Sequence, residues 1–227
     1  MNSDDLRTLW DGQSTKYLEG SSALADFPLP AEFLPHPGDR ALDAGCGGGN
    51  YMGMYRRITR EVFGLDFSDA MTRAAARYGS TVQGDVQRLP LKSAAFEYVS
   101  SHVVINHVRD SRVALAELAR VTAPGGRLVV VVPNRLSFVS LERMLMMKLG
   151  KYSLGPCRHY TVTMLRGEGS IHGLSLRRFY TVPKVPTAPT PLRWFASWLG
   201  YVMDQMVRAV CSQWGGDLAV LFEKNAQ

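Results

Sequence analysis

Residues 41–50 read Ala-Leu-Asp-Ala-Gly-Cys-Gly-Gly-Gly-Asn, and few folds accommodate such a stretch. Residues 40–44 hold a short apolar run of the kind that forms a buried strand. Gly45, Gly47, Gly48 and Gly49 follow as a turn whose backbone can approach a ligand closely, and residues 50–58 read as a helix. A glycine-rich strand-to-helix turn is a nucleotide-type site in an open α/β sheet. Two residues narrow the ligand. The dinucleotide fingerprint G-x-G-x-x-G, counted from Gly45, needs Gly or Ala at position 50, where this chain has Asn50. Asp43 stands two residues before the first glycine, where a carboxylate repels a pyrophosphate and suits a ligand that carries a cation. The Lys-Ser/Thr pair of a phosphate-binding P-loop is absent.

The strand-then-acid pattern recurs. Val62-Phe-Gly-Leu-Asp66 reads as a second strand ending in a carboxylate, with Ser68 as N-cap of the next helix. Gly84-Asp-Val-Gln87 precedes Leu89-Pro-Leu91, and Phe96–Ser101 is a fourth strand. Residues 116–133 read as a helix, a Pro-Gly-Gly turn and a fifth strand. Taken singly, Asp66 is a solvated strand-end acid, Asp85 an Asx-turn residue, Met71 a core side chain and Cys46 merely a small residue. Three carboxylates, each after an apolar run, are what that reading leaves unexplained.

Asp-x-Gly-x-Gly-x-Gly at a strand end resembles motif I of the class I S-adenosylmethionine (SAM)-dependent methyltransferases, and the later segments resemble that family's further motifs in order over residues 40–133. By pattern the chain is most similar to the small-molecule enzymes of ubiquinone and menaquinone biosynthesis. The resemblance implies an α/β fold: a Rossmann-like, seven-stranded, mostly parallel sheet with the last strand antiparallel and helices on both faces. It implies SAM as cofactor, with Asp43 and the backbone of Gly45, Cys46 and Gly47 at its methionine end. Asp66 would hold the ribose hydroxyls. Phe67 would also bind the cofactor, Met71 would lie near the adenine, and Asp85 would contact its amino group. The Val86 backbone would reach a ring nitrogen, and Ser101 closes the site at the end of strand four. An aromatic of the N-terminal lid would cover the cofactor: Tyr17, with Trp10 second.

Strands and helices alternate at about 40–45, 50–58, 61–66, 69–78, 80–84, 96–101, 110–122 and 126–132, which means a parallel sheet with right-handed crossovers. Ligands in such sheets sit at the carboxyl ends of the strands, where Asp43, Asp66, Asp85 and Ser101 all fall. The expected organisation is a single domain over 1–227, divided into a lid region (1–39), a SAM-binding core (40–133) and acceptor-side helices with the last strands (134–227). Past residue 133, helices are expected over 136–150 and 192–211, the family's late helix after Arg158-His-Tyr, and strands at 174–182 and 215–224. The spacing of Trp194, Phe195, Trp198, Leu199, Val202, Met203, Met206 and Val210 reads first as a core face. Its composition also suits an interfacial helix or a pocket for a lipid-like acceptor.

Residues 1–132 carry 14 Lys and Arg against 15 Asp and Glu, whereas residues 133–227 carry 12 against 5. A solubilising surface accounts for this, and so would an anionic acceptor, an anionic membrane surface with which the chain makes peripheral contact, or nucleic acid. The nucleic-acid reading is the weakest. The place after strand four reads Ser101-His-Val-Val104 where nucleic-acid amino-methyltransferases carry Asp/Asn-Pro-Pro-aromatic, and the basic residues are scattered rather than striped. No run of 18 apolar residues spans a membrane. The three dispersed cysteines suggest no disulfide framework, and no leader pattern opens the chain. A cytoplasmic protein without a metal site is expected.

The implied reaction is in-line methyl transfer to a small organic acceptor, either anionic or isoprenoid/lipid-like. It needs a base only where the acceptor must lose a proton. His102 after strand four and His159 beside Tyr160 are the candidate catalytic residues, His107 reads as structural, and Arg158 suits a carboxylate or phosphate on the acceptor. Two other readings remain open: a SAM-binding partner without catalysis, and an NAD-dependent oxidoreductase, against which Asp43 and Asn50 argue.

Overall fold

The computed structural model describes residues 8, 11–12, 29–150, 157–182, 191–208, 211 and 213–226. Seven strands are formed: β1 (Arg40–Ala44), β2 (Glu61–Asp66), β3 (Ser80–Gln83), β4 (Phe96–His102), β5 (Thr122–Pro133), β6 (Leu174–Val182) and β7 (Asp217–Lys224). They make one sheet in the order β3-β2-β1-β4-β5-β7-β6. Pairing is parallel from β3 through β5, and β7 runs antiparallel between β5 and β6. The α-helices are α1 (Asn50–Tyr55), α2 (Asp69–Ala75), α3 (Ser111–Val121), α4 (Phe138–Lys148), α5 (Val162–Ile171) and α6 (Pro191–Arg208). The expected architecture is observed.

Alternation along the central strands builds two cores. Leu128 and Val130 of β5 join Leu42, Val99 and Phe222 on one face, beneath Leu115 and Leu118 of α3 and Leu165 of α5. Val129 and Val131 point the other way and join Ala41, Tyr98, Met52, Tyr55 and Phe33. Three helices start where a side-chain oxygen takes a free backbone N–H: Asp110 caps α3, Ser137 caps α4 and Thr161 caps α5. Ser68 occupies the N-cap position of α2, but its hydroxyl makes no capping bond. The Asp66 carboxylate takes the Ser68 N–H instead, at 2.9 Å.

The Pro-Gly-Gly segment expected as a turn is absorbed into β5. Thr122 already pairs with Phe96, and the register then jumps so that Tyr98 pairs with Arg127. The intervening residues bulge out of the ladder, with Gly125 at φ 72.

Helix α6 departs from a plain core-face reading. Among its described side chains, Trp198 (40%), Leu199 (48%), Met203 (37%) and Met206 (63%) are exposed. Leu141, Leu145 and Leu149 form a second exposed apolar row at four-residue spacing along α4 and its C-cap. Among the described residues, one polar cluster fastens α6. Asp204 is buried and accepts hydrogen bonds from Ser137 Oγ (2.9 Å), the Phe138 N–H (2.8 Å) and Trp214 Nε1 (2.8 Å). One carboxylate thus joins α6 to the start of α4 and to the lead-in of β7. Asp204→Ala leaves these donors without an acceptor and should lower stability by roughly 2–4 kcal/mol in urea denaturation. A loss within a few tenths of a kcal/mol would mean that α6 is held by its apolar contacts.

Candidate functional site

The carboxyl ends of β1, β2 and β4 open onto a cavity lined by Gly45, Gly47, Asp66, Phe67, Met71, Asp85, Val86 and His102 among others. Its floor is the glycine turn. Gly45 (φ 87) and Gly49 (φ 86) adopt left-handed backbone, and the Gly45 and Cys46 N–H groups both donate to the Leu65 carbonyl (2.6 and 2.9 Å), which ties the turn to β2. A Cβ on Gly45 would stand 2.1 Å from Cγ2 of Val104. Gly45→Ala should therefore cost about 2 kcal/mol or more in thermal or urea denaturation, and a neutral outcome would show that the loop after β4 gives way freely.

Asp66 is half-buried at the end of β2. Its Oδ2 accepts from the Gly47 N–H (2.9 Å) and its Oδ1 from the Ser68 N–H. Burial raises its pKa against the pull of these backbone donors. Each oxygen retains a lone pair for a ligand hydroxyl. Asp85 forms the Asx turn weighed from the sequence, accepting from the Gln87 N–H at 2.8 Å, and it lines the cavity as well. Met71 is 4% exposed, so most of it packs in the protein while an edge borders the cavity.

Three expected cofactor residues do not line this cavity. Asp43 lies below the glycine turn, 1% exposed, with Oδ1 accepting from Ser100 Oγ (3.2 Å) and Oδ2 buried without a partner. Cys46 packs into the core beside Met52, because its side chain turns inward where the glycines turn the backbone outward. Ser101 is fully buried and its hydroxyl meets no hydrogen-bond partner. The period of two along β4 sends Ser100, not Ser101, to Asp43, its register partner in β1. Tyr17 and Trp10 lie outside the described residues.

The three residues expected to be catalytic, His102, His159 and Tyr160, are not brought together. His102 lines the cofactor cavity, stacks on Tyr51 (centroids 3.6 Å apart) and shares a hydrogen bond of 2.8 Å between Nε2 and Tyr55 Oη. Burial pushes its pKa down to about 3, so at neutral pH it is an uncharged hydrogen-bonding ring rather than a titrating base. His159 and Tyr160 line a second cavity that shares no residue with the first. The Arg158 guanidinium is occupied by Ser111 Oγ (3.0 Å) and the Arg109 carbonyl (2.9 Å), which fastens this segment to the loop after β4. His107 borders the cofactor cavity while being 9% exposed.

Sequence reasoning missed Gln87, Val103 and Val104 as cavity residues. Gln87 was legible from its place beside Asp85. Val103 was not: it sits at φ 57, rare for a β-branched residue, and is held by its N–H bond to the Val131 carbonyl at 2.7 Å.

The geometry accepts SAM. A turn in which a Cβ would meet Val104 and a carboxylate with free lone pairs at the next strand end suit an adenosyl ligand, while Asp43, sealed beneath the turn, can act on a cation only through its charge. Among the described residues no group of three His, Cys, Asp or Glu is placed to hold a metal ion, and no helix is long and apolar enough to cross a membrane.

Comparison with known proteins supports the fold and shows which proteins the central segment is similar to. A SAM-dependent methyltransferase from Thermotoga maritima superposes with a TM-score of 0.69 at 20% identity, covering 97% of this chain and 100% of that one. Residues 42–130 match the family model described as "Methyltransferase domain". The malonyl-[acyl-carrier protein] O-methyltransferase of Serratia marcescens is 37% identical over 112 residues, 48% of this chain and 43% of that protein. The demethylmenaquinone methyltransferase of Thermobifida fusca is 37% identical over 118 residues, 48% of this chain and 50% of that protein. The chain spans about half the length of the curated relatives it matches.

Asp43 supplies a pH test of the site. Burial raises its pKa to about 7, with Ser100 lowering it and the Asp66 charge adding to the rise. The folded protein therefore holds a proton that the unfolded chain releases near pH 4, and this group's contribution to stability falls as pH rises from about 4 to about 7. His102 acts in the opposite sense, since its depressed pKa makes stability fall as pH drops below about 6.5. Asp43→Asn removes only the first effect. The stability of this variant relative to the parent, measured by urea denaturation without ligand, should thus rise between pH 4.5 and pH 7.5. A difference independent of pH would mean that Asp43 is ionised throughout.

Proposed function

We propose that this chain transfers the methyl group of SAM to a small organic acceptor. The observation that carries the reading is the single cavity at the carboxyl ends of β1, β2 and β4 in which the glycine turn, Asp66, Met71 and Asp85 converge. When bound, SAM supplies a methyl group already activated as a sulfonium. The chain's own residues have to bind, align and exclude water. Alignment of acceptor and methyl can lower such a barrier by about 7–11 kcal/mol. Asp66, fixed by two backbone donors, would take the ribose hydroxyls, Asp85 and the Val86 backbone would face the adenine, and Asp43 would draw the ligand's ammonium from below. His102, neutral and clamped by Tyr51 and Tyr55, would shape the wall next to the acceptor.

The named relatives act on a malonyl group carried by a protein and on demethylmenaquinone. An anionic or lipid-like acceptor fits the positive charge after residue 133, and the exposed leucines of α4 together with Trp198 and Met206 favour one with an apolar part, met in peripheral contact with a membrane. The whole chain works as one domain in this reading, with residues 134–227 on the acceptor side.

Calorimetry and methyl transfer test it together. Asp66→Ala should weaken SAM binding at least tenfold, about 1.4 kcal/mol, while circular dichroism stays that of the parent, and Asp66→Asn should fall between the two. Unchanged affinity in Asp66→Ala would remove the ribose assignment. Incubation of the parent with methyl-labelled SAM and small-molecule extract fractions should label an acceptor. SAM binding without labelled product would favour a non-catalytic SAM-binding partner, and binding of NADH in place of SAM would favour an oxidoreductase.

A further inference from the structure

The loop after β4 serves two cavities. His107 and Val108 border the cofactor cavity, and the next four residues, Arg109 to Arg112, border a second cavity of about 610 Å³. This volume falls in the usual range for small-molecule sites.

Its polar groups are sorted by depth. At the wall, the Tyr160 hydroxyl and Glu168 Oε2 are buried; the hydroxyl lies near Ser111 and Arg158, but neither atom completes a hydrogen bond of good geometry among the described residues, and Tyr160 as a whole is 2% exposed. A phenol donates where a carboxylate accepts, so one ligand hydroxyl, which both donates and accepts, satisfies the two together. At the mouth stand Arg109, Arg112 and Arg135, all exposed, with guanidinium groups that engage no other described residue. The N-terminus of α3 opens on the same side and adds to the positive potential, offset in part by its cap Asp110. Between wall and mouth, Met144, Met147 and Met164 offer an adaptable apolar surface.

We infer that this second cavity is the distal part of the acceptor site, separated from the cofactor cavity by the loop after β4 and built for the recognition end of an amphipathic oxyanion: a hydroxyl at the Tyr160–Glu168 wall, an apolar body along the methionines and a phosphate or carboxylate at the arginine mouth, with the reacting atom outside this cavity toward the methyl group. The inference rests on the methyl-transfer reading and deepens it. It also gives Tyr160 a role as a binding residue, and it moves anion recognition from Arg158, whose guanidinium is occupied, to its three neighbours. Guanidinium pairs with either oxyanion by charge-assisted hydrogen bonds.

The test is calorimetric, on the full chain, with 4-hydroxyphenyl phosphate, 4-hydroxybenzoate and neutral 4-hydroxybenzyl alcohol as probes and SAM titrated separately. Both anions should bind at least about tenfold more tightly than the alcohol, and the tighter of the two identifies the oxyanion class. The double variant Arg112→Gln/Arg135→Gln removes exposed groups without structural partners. It should lose about tenfold in affinity for the anions while binding SAM and the alcohol as the parent does. Tyr160→Phe should weaken all three probes alike. Equal binding of the three probes by the parent, or unchanged anion binding by the double variant, overturns the subsite. A chain that binds SAM but shows no preference for the anions overturns this inference alone, whereas a chain that prefers the anions but ignores SAM overturns the methyl-transfer reading and leaves an oxyanion site.

Discussion

No side chain can stand at position 45, and much of the molecule is arranged around that fact. The backbone there is left-handed, the Val104 side chain occupies the space a Cβ would need, and the N–H groups of Gly45 and Cys46 converge on one carbonyl of β2. Three chain segments far apart in sequence thus meet at a single atom's width. The close approach brings the end of β1 against β2 and sets the loop after β4 over it. The cofactor cavity is the space left around this junction, and the position of Asp66 follows from its own bond to Gly47.

Under the junction lies a set of polar side chains that the hydrophobic pattern would not place there. Asp43, Ser100, Tyr98, Tyr55 and His102 come from β1, β4 and α1 and are linked in part by hydrogen bonds. Tyr98 is anchored further by donating to the Phe33 carbonyl at 2.7 Å. Burying charge here is costly, so Asp43 and His102 are both pushed toward their neutral forms. A cation bound in the cavity above changes that balance, which couples ligand binding to the ionisation of a group that titrates near neutrality.

The fold was legible because each β-α unit repeats one message: an apolar run, then a carboxylate or glycine, then a helix. Strand bounds at Glu61–Asp66 and Leu174–Val182 coincide with those read from the residues. What was not legible depends on neighbours distant in sequence. Ser101 and Ser100 are indistinguishable until the register with β1 decides which faces Asp43. Val103 bears no mark of its left-handed backbone, which the bond to Val131 enforces. The three hydrogen bonds that gather on Asp204 link α6 to α4 and to the lead-in of β7, and nothing in the apolar periodicity of α6 announces them. The cofactor residues lie along continuous motifs, whereas the second cavity is assembled from the α3 cap, α4, α5 and the segment before it, with no motif in common.

The end of β5 has one more feature that shapes how such a chain can change. Tyr160 returns to Pro133 and Asn134 as a short parallel extension of that strand: its N–H donates to the Pro133 carbonyl and its carbonyl accepts from Arg135. The described residues between are also pinned where Ser137 and Phe138 donate to Asp204 and where Arg158 donates to Ser111 Oγ and the Arg109 carbonyl. Lengthening or replacing the residues between Pro133 and Tyr160 alters a closed loop whose two ends stay fixed, at an entropic cost that grows only slowly with length. Changes of length are therefore absorbed between pinned points, and those that disturb Arg158 are passed on to the loop after β4, whose residues before Arg109 border the first cavity.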